Sequence, residues 1–147
     1  MDSKQVYLAQ TDTTVGFLSQ DDEKLSRIKQ RPTTQKILQV VNSFATLNFQ
    51  VRIPKKYRKM VRNAKKTTFI YPNGESYRVV PYTSAHHDFV KKFNVIYSTS
   101  ANRTSHAFEK SYALKHANII VEDKNQLFET NSSQIIKFSC NKIKKLR

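Results

Sequence analysis

Three pairs of residues with chemically useful side chains share one spacing. Thr11 and Thr13, Lys29 and Arg31, and Ser100 and Asn102 each stand at i and i+2. In a helix such residues point about 200° apart, whereas in extended backbone they lie on the same side and can share a ligand. Lys29 and Arg31 would face phosphate oxygens, and the hydroxyl and amide groups would orient the rest of a ligand. Taken singly, each pair also suits an ordinary cap or turn.

Each pair falls where a regular element should end. Residues 6–9 read as a strand leading into "QTDTTVG". "SQDD" then offers a helix start, with Ser19 as cap and Asp22 three residues on. That helix runs to Lys29 and stops before Pro32, since the residue preceding a proline avoids helical backbone. A second strand is expected over residues 36–41. Residues 53–66, "IPKKYRKMVRNAKK", read as the clearest helix, with Pro54 in its first turn and Tyr57, Met60, Val61 and Ala64 on one face. "TTFIYPNGESYRVVPY" reads as two strands around Pro72-Asn73-Gly74. A helix over residues 84–93, a strand from Val95, a helix over 105–116, and the strands "NIIVE", "QIIKF" and "KIKKL" complete the pattern. Helices interleave with strands but a hairpin intrudes, so the expected class is α/β: a mixed parallel and antiparallel sheet with flanking helices. Ligands of such sheets sit beyond the carboxyl ends of strands, where the Thr11-Thr13 and Ser100-Asn102 pairs fall, while Lys29 and Arg31 fall at the proline-stopped helix end.

The length of 147 residues and the absence of any linker suit a single domain over 1–147. No stretch approaches the ~20 apolar residues of a membrane span. The N-terminal "MDSKQVYLAQ" lacks the apolar run of a signal peptide. Cys140 is the one cysteine, which excludes a disulfide framework and cysteine zinc sites and suits a reducing, cytoplasmic setting. Lys and Arg total 26 against 11 Asp and Glu, a net charge of +15. That balance fits an RNA or phosphate-bearing partner, and equally a merely basic surface. With two glycines, Gly16 and Gly74, no glycine-rich phosphate loop can form.

"QTDTTVG", "KQRP" and "STSAN", in that order, resemble the YrdC-like family, the threonylcarbamoyl-AMP synthases of tRNA modification. "TTFIYP" with "YRVVP" resembles the next two strands of that family, and "NSSQIIKF" with the closing "KKLR" resembles its final segment. The chain departs from the family at Gln10, at Thr14-Val15, and at Asn63 to Lys66, where the family has Trp-Pro-Gly-Pro.

The resemblance implies a nucleotidyltransferase with a YrdC-like twisted sheet. Such an enzyme joins L-threonine, bicarbonate and ATP into threonylcarbamoyl-adenylate and releases pyrophosphate. A transferase complex then carries the threonylcarbamoyl group to an adenosine of tRNA. Residue by residue, the resemblance implies Thr11, Thr13 and Arg78 for threonine. It implies Lys29 and Arg31, as catalytic groups, together with Ser100, Asn102, Ser133 and Arg147 for ATP, with magnesium on the nucleotide and no protein metal site. The alternative is a noncatalytic protein of the same fold that binds nucleotide, tRNA or double-stranded RNA, with the basic residues 55–66 facing the RNA.

His86-His87-Asp88 invites a metal site, but adjacent histidines on a helix point roughly 100° apart. The segment fits better as the start of a helix that buries Phe89, Val90 and Phe93. Cys140, with no partner evident, reads as a packed or idle thiol.

Overall fold

The computed structural model describes residues 2–121, 126–139 and 141–147. Cys140 and Glu122, named above, lie outside the described residues. Fourteen regular elements follow one another: β1 (Tyr7–Gln10), β2 (Val15–Ser19), α1 (Asp22–Lys29), β3 (Leu38–Val41), α2 (Phe44–Gln50), α3 (Arg58–Asn63), β4 (Thr67–Ile70), β5 (Ser76–Val79), α4 (Ala85–Lys91), β6 (Val95–Ser100), α5 (Lys110–His116), β7 (Ile119–Ile120), β8 (Gln134–Phe138) and β9 (Ile143–Lys145). The strands form one sheet in the order β7-β1-β2-β6-β3-β5-β4-β8-β9. Pairs β1·β7, β3·β5 and β4·β8 are parallel and the others antiparallel, so the expected mixed α/β sheet is what forms.

Strand alternation divides the core. Leu8 of β1 and Phe17 of β2 pack with Leu25 of α1 and Tyr112 of α5. Their neighbours Tyr7 and Leu18 point the other way, onto Phe89 and Val90 of α4. Further along, Phe69, Tyr77 and Phe138 meet Leu47 of α2 and Val61 of α3. The helices α1, α2, α3 and α5 thus cover one face of the sheet and α4 covers part of the other. Strand β2 contributes Phe17 to one core layer and Leu18 to the other, which explains its unbroken burial.

Several elements differ from the sequence reading, each for a local reason. Ser19 does not cap α1, because it is the buried last residue of β2 and pairs with Tyr97. Asp21 caps instead, its carboxylate accepting the Lys24 amide at 3.0 Å, while Ser19 Oγ accepts the Asp21 amide. Residues 53–66 form only a 3-10 turn at Lys55–Tyr57 followed by α3. The helix expected from Ser105 begins at Lys110, since Ser105 holds a left-handed φ of 65°. Two elements were not anticipated. Strand β2 lies inside what reads as loop, and α2 starts where Ser43 Oγ accepts the Thr46 amide at 3.0 Å. The Pro72-Asn73-Gly74 hairpin forms as read, with Gly74 at φ 83° closing the turn by donating to the Tyr71 carbonyl.

Candidate functional site

The face of the sheet that α4 leaves uncovered holds a cavity of about 390 Å³. Its floor follows from alternation. While Phe69, Tyr77 and Ile136 face the core, Thr68, Arg78 and Ile135 face the cavity. One wall is the loop 11–14 with Ser98 and Ser100 of β6, and the other is Ser133 with Arg147. Seven of the nine site residues expected from sequence line this one space: Thr11, Thr13, Arg31, Arg78, Ser100, Ser133 and Arg147.

The loop is tightly tied. Thr11 Oγ1 accepts the amides of Thr13 and Thr14, each at 3.2 Å, and lies 3.2 Å from Thr13 Oγ1. The pair therefore shares one hydrogen-bond cluster, formed by a tight bend rather than by extended backbone. Across the cavity Thr68 Oγ1 and Ser133 Oγ are 2.9 Å apart, and Arg147 Nε donates to the Ser133 carbonyl at 2.9 Å. Arg147, though exposed, is thereby held at the cavity wall.

The cationic pair behaves differently. Helix α1 ends at Gln30, which turns into left-handed backbone at φ 54°. Lys29 and Arg31 therefore diverge, and the same-side argument fails for them because Lys29 is still helical. Arg31 lines the cavity, with its Nε buried and without a hydrogen-bond partner. Lys29 is buried beneath the end of β6. Its Nζ donates to the Ser100 carbonyl at 3.0 Å, Ser100 Oγ at 3.3 Å, Asn102 Oδ1 at 2.9 Å and the Asn102 carbonyl. Burial, and then the charge of Arg31, lower its pKa from 10.5 to about 8. Asn102 does not reach the large cavity. It lines a smaller neighbouring one of about 80 Å³ that shares Thr14, Ser100 and Ser132 with it.

Asp12 escaped the sequence reading. Its carboxylate lies 3.2 Å from the Arg78 guanidinium, and both side chains are 4% exposed. Burial pulls the Arg78 pKa down and the facing Asp12 charge opposes the pull. The signal was its position between Thr11 and Thr13, with nothing in the sequence to say which cation it meets. Lys36 is likewise paired, to Glu75 at 2.7 Å, and Glu75 also accepts from Gln39. Arg31 and Arg147 have no carboxylate within ion-pair distance among the described residues. The cavity is thus electropositive by two uncompensated guanidinium groups, an arrangement suited to an anion with several oxygens.

The other candidates resolve simply. Helix α4 is capped by Ser84, whose Oγ accepts the His86 amide, and it buries His86, Phe89 and Val90. Burial, aided by the charges of Arg78 and His87, drops the His86 pKa from 6.5 to about 3. His87 points away, its Nε2 3.1 Å from the Asn42 carbonyl. No group of three His, Cys, Asp or Glu side chains suited to a metal occurs among the described residues. No helix among them is long and apolar enough to cross a membrane.

No protein-family profile matches the chain, and no curated protein matches it by sequence. Solved structures do. A double-mutant Sua5 from P. abyssi superposes with a TM-score of 0.78 at 16% identity, over 97% of this chain and 49% of Sua5. Sua5 complexed with L-threonine gives 0.71 at 15% identity, over 97% and 50%. E. coli YciO gives 0.76 at 15% identity, over 98% and 82%. Full-length HypF in a phosphate- and nucleotide-bound form gives 0.69 at 14% identity, over 97% and 26%. This chain spans about half the length of Sua5. At these identities the likeness is one of fold, and the fold is the YrdC-like α/β fold seen in Sua5 and YciO.

Proposed function

We propose that the protein is an L-threonylcarbamoyladenylate synthase, joining L-threonine, bicarbonate and ATP and releasing pyrophosphate. The observation that carries this reading is the pair of uncompensated guanidinium groups, Arg31 and Arg147, in the cavity that also holds the Thr11–Thr13 loop. A volume of about 390 Å³ lies within the range of small-molecule sites. The L-threonine bound to Sua5 and the phosphate and nucleotide bound to HypF support the same assignment.

The chemistry suits such a site. Condensation of the threonine amine with bicarbonate expels water and gives a carbamate whose oxygen is already a nucleophile, so its attack on the α-phosphate, with pyrophosphate leaving, needs little proton transfer. It needs the reactants held together and the growing phosphate charge offset. Arg31 and Arg147 supply that charge, Ser100 and Ser133 orient the nucleotide, and Thr13 with Arg78 takes the threonine. Magnesium is a hard cation commonly carried on substrate phosphates with few protein ligands. The cavity fits that mode: among the described residues no carboxylate lines it, Asp12 and Glu75 behind it are engaged with Arg78 and Lys36, and the lining offers hydroxyls. Magnesium would screen the phosphates and favour departure of pyrophosphate. On this reading the protein works in the cytoplasm and hands its product to a threonylcarbamoyl transferase complex acting on tRNA.

One observation favours a second reading, a noncatalytic nucleotide-binding relative. The ammonium of Lys29, expected from sequence as a catalytic cation, is enclosed by acceptors from Ser100 and Asn102. Calorimetric titration separates the possibilities. Magnesium-ATP and L-threonine should each bind, and Arg31→Ala or Arg147→Ala should weaken ATP roughly ten-fold with threonine little changed. Absence of ATP binding by folded protein overturns both readings, and ATP binding without threonine binding leaves only the second.

A further inference from the structure

We propose that the opposite face of the sheet carries a binding ridge for single-stranded nucleic acid, built from residues 49–66 and the edge strand β9. The proposal is independent of the reading of the cavity. Eight Lys and Arg residues lie between positions 52 and 66, all exposed. No Asp or Glu occurs between Glu23 and Glu75 to balance them. None of these cations forms an ion pair among the described residues.

Packing extends the ridge to the sheet edge. Tyr57 stacks on Phe138 of β8 at 5.1 Å, and Lys56 Nζ donates to the Asn141 carbonyl at 3.3 Å, tying the 3-10 turn to the β8–β9 turn. In the β8–β9 register Ile143 lies opposite Phe138 and Lys145 opposite Ile136. Phe138 and Ile136 both face the cluster beneath α3, so Lys145 projects on the side of α3 and away from the cavity. Lys142, in the turn, continues the row of charge.

An aromatic side chain stands at the other end. Phe49 is 90% exposed, the most exposed of the large hydrophobic residues among those described. It borders a shallow groove of about 410 Å³ with Arg52, Arg58 and the amides of Asn48 and Gln50. A cationic track that ends in a bare ring beside arginines and amides matches unpaired nucleotides. Phosphates follow the cations while a base stacks on the ring and meets amides at its edge. In a duplex the bases are stacked on one another and unavailable to Phe49. A purely acidic protein partner would leave the ring without a role.

The test is fluorescence anisotropy with a labelled oligouridine of about 12 nucleotides. A duplex of the same length, polyglutamate and inorganic polyphosphate serve as competitors. Affinity for the single strand should fall steeply with salt and exceed that for the duplex. Phe49→Ala should weaken oligouridine roughly ten-fold while leaving polyphosphate unchanged, and Phe49→Tyr should restore it. Lys55→Glu with Lys59→Glu should weaken both ligands, with ATP binding in the cavity untouched. These side chains are exposed, so melting temperatures should not move. An unchanged Phe49→Ala, a duplex that binds as tightly, or polyglutamate that competes as well overturns the proposal, as does absence of salt-dependent binding.

Discussion

Lys29 and Asn102 join helix α1 to the end of strand β6: Nζ donates to Asn102 Oδ1 at 2.9 Å and also to the Asn102 carbonyl. With the two Ser100 oxygens, four neutral acceptors surround one ammonium, and no carboxylate is among them. Ser100 also lines the cavity, so on the proposed function Lys29 bears on the ligand through the segment it anchors.

Lys29→Met should therefore loosen residues 100–102 and weaken ATP binding with less effect on threonine. Its stability signature is a pH dependence. Below about pH 8 native and unfolded chains both hold the proton, whereas between about 8 and 10.5 only the unfolded chain does, so this group adds stability as pH rises through that window. The stability of the wild type relative to Lys29→Met should rise by roughly 2 kcal/mol from about pH 7.5 to about pH 9.5, measured by urea denaturation.

Asp12→Asn should cost roughly 3–5 kcal/mol, because it leaves the guanidinium of Arg78 buried without its countercharge. The denaturant midpoint measures that loss. Threonine affinity should fall with it if Arg78 faces the amino acid, and a midpoint unchanged within error contradicts the pairing.

His86 is buried and neutral, and neither ring nitrogen has a hydrogen-bond partner. As pH falls from 6.5 toward about 3 the unfolded chain takes up a proton that the native chain refuses, so stability is lost across that window. His86→Leu removes the titration and an unsatisfied polar ring. It should be neutral or stabilising near neutral pH and should recover roughly 3 kcal/mol at about pH 4. Thermal melts of both proteins across that range decide it.

Gly16 sits in β2 directly opposite Ser100 of β6. A Cβ there would lie 3.0 Å from the Thr99 carbonyl oxygen and 3.2 Å from Thr11 Cγ2. Backbone cannot retreat as a flexible side chain can, so Gly16→Ala should cost roughly 1–3 kcal/mol and shift the Thr11 loop against β6. Denaturant melts and threonine titration should both register the change.

The parts of this architecture that local chemistry specifies were legible. The Pro72-Asn73-Gly74 hairpin, the stop before Pro32 and the polar end of β6 each depend on residues within a few positions. The hydroxyl and cationic residues of the cavity were legible as types, and most of them converge there. What escaped depends on partners distant in sequence. Asp12 gains its role only when β5 brings Arg78 beside it, and the ammonium of Lys29 turns from solvent only because residues 100–102 close over it. Strand β2 was hidden because its pairing to β1 and β6, rather than any alternation of its own, makes it a strand. Helix α2 was hidden by the β-branched and aromatic composition of "FATLNFQ", whose helicity comes from the Ser43 cap and from packing of Leu47.

The measurement that tests the central claim most directly is pyrophosphate release from magnesium-ATP by the purified protein, with L-threonine and bicarbonate supplied together or omitted singly. The account predicts release only when both are present, and its loss in Arg31→Ala. Protein that binds ATP and threonine yet releases no pyrophosphate with both substrates supplied would contradict it.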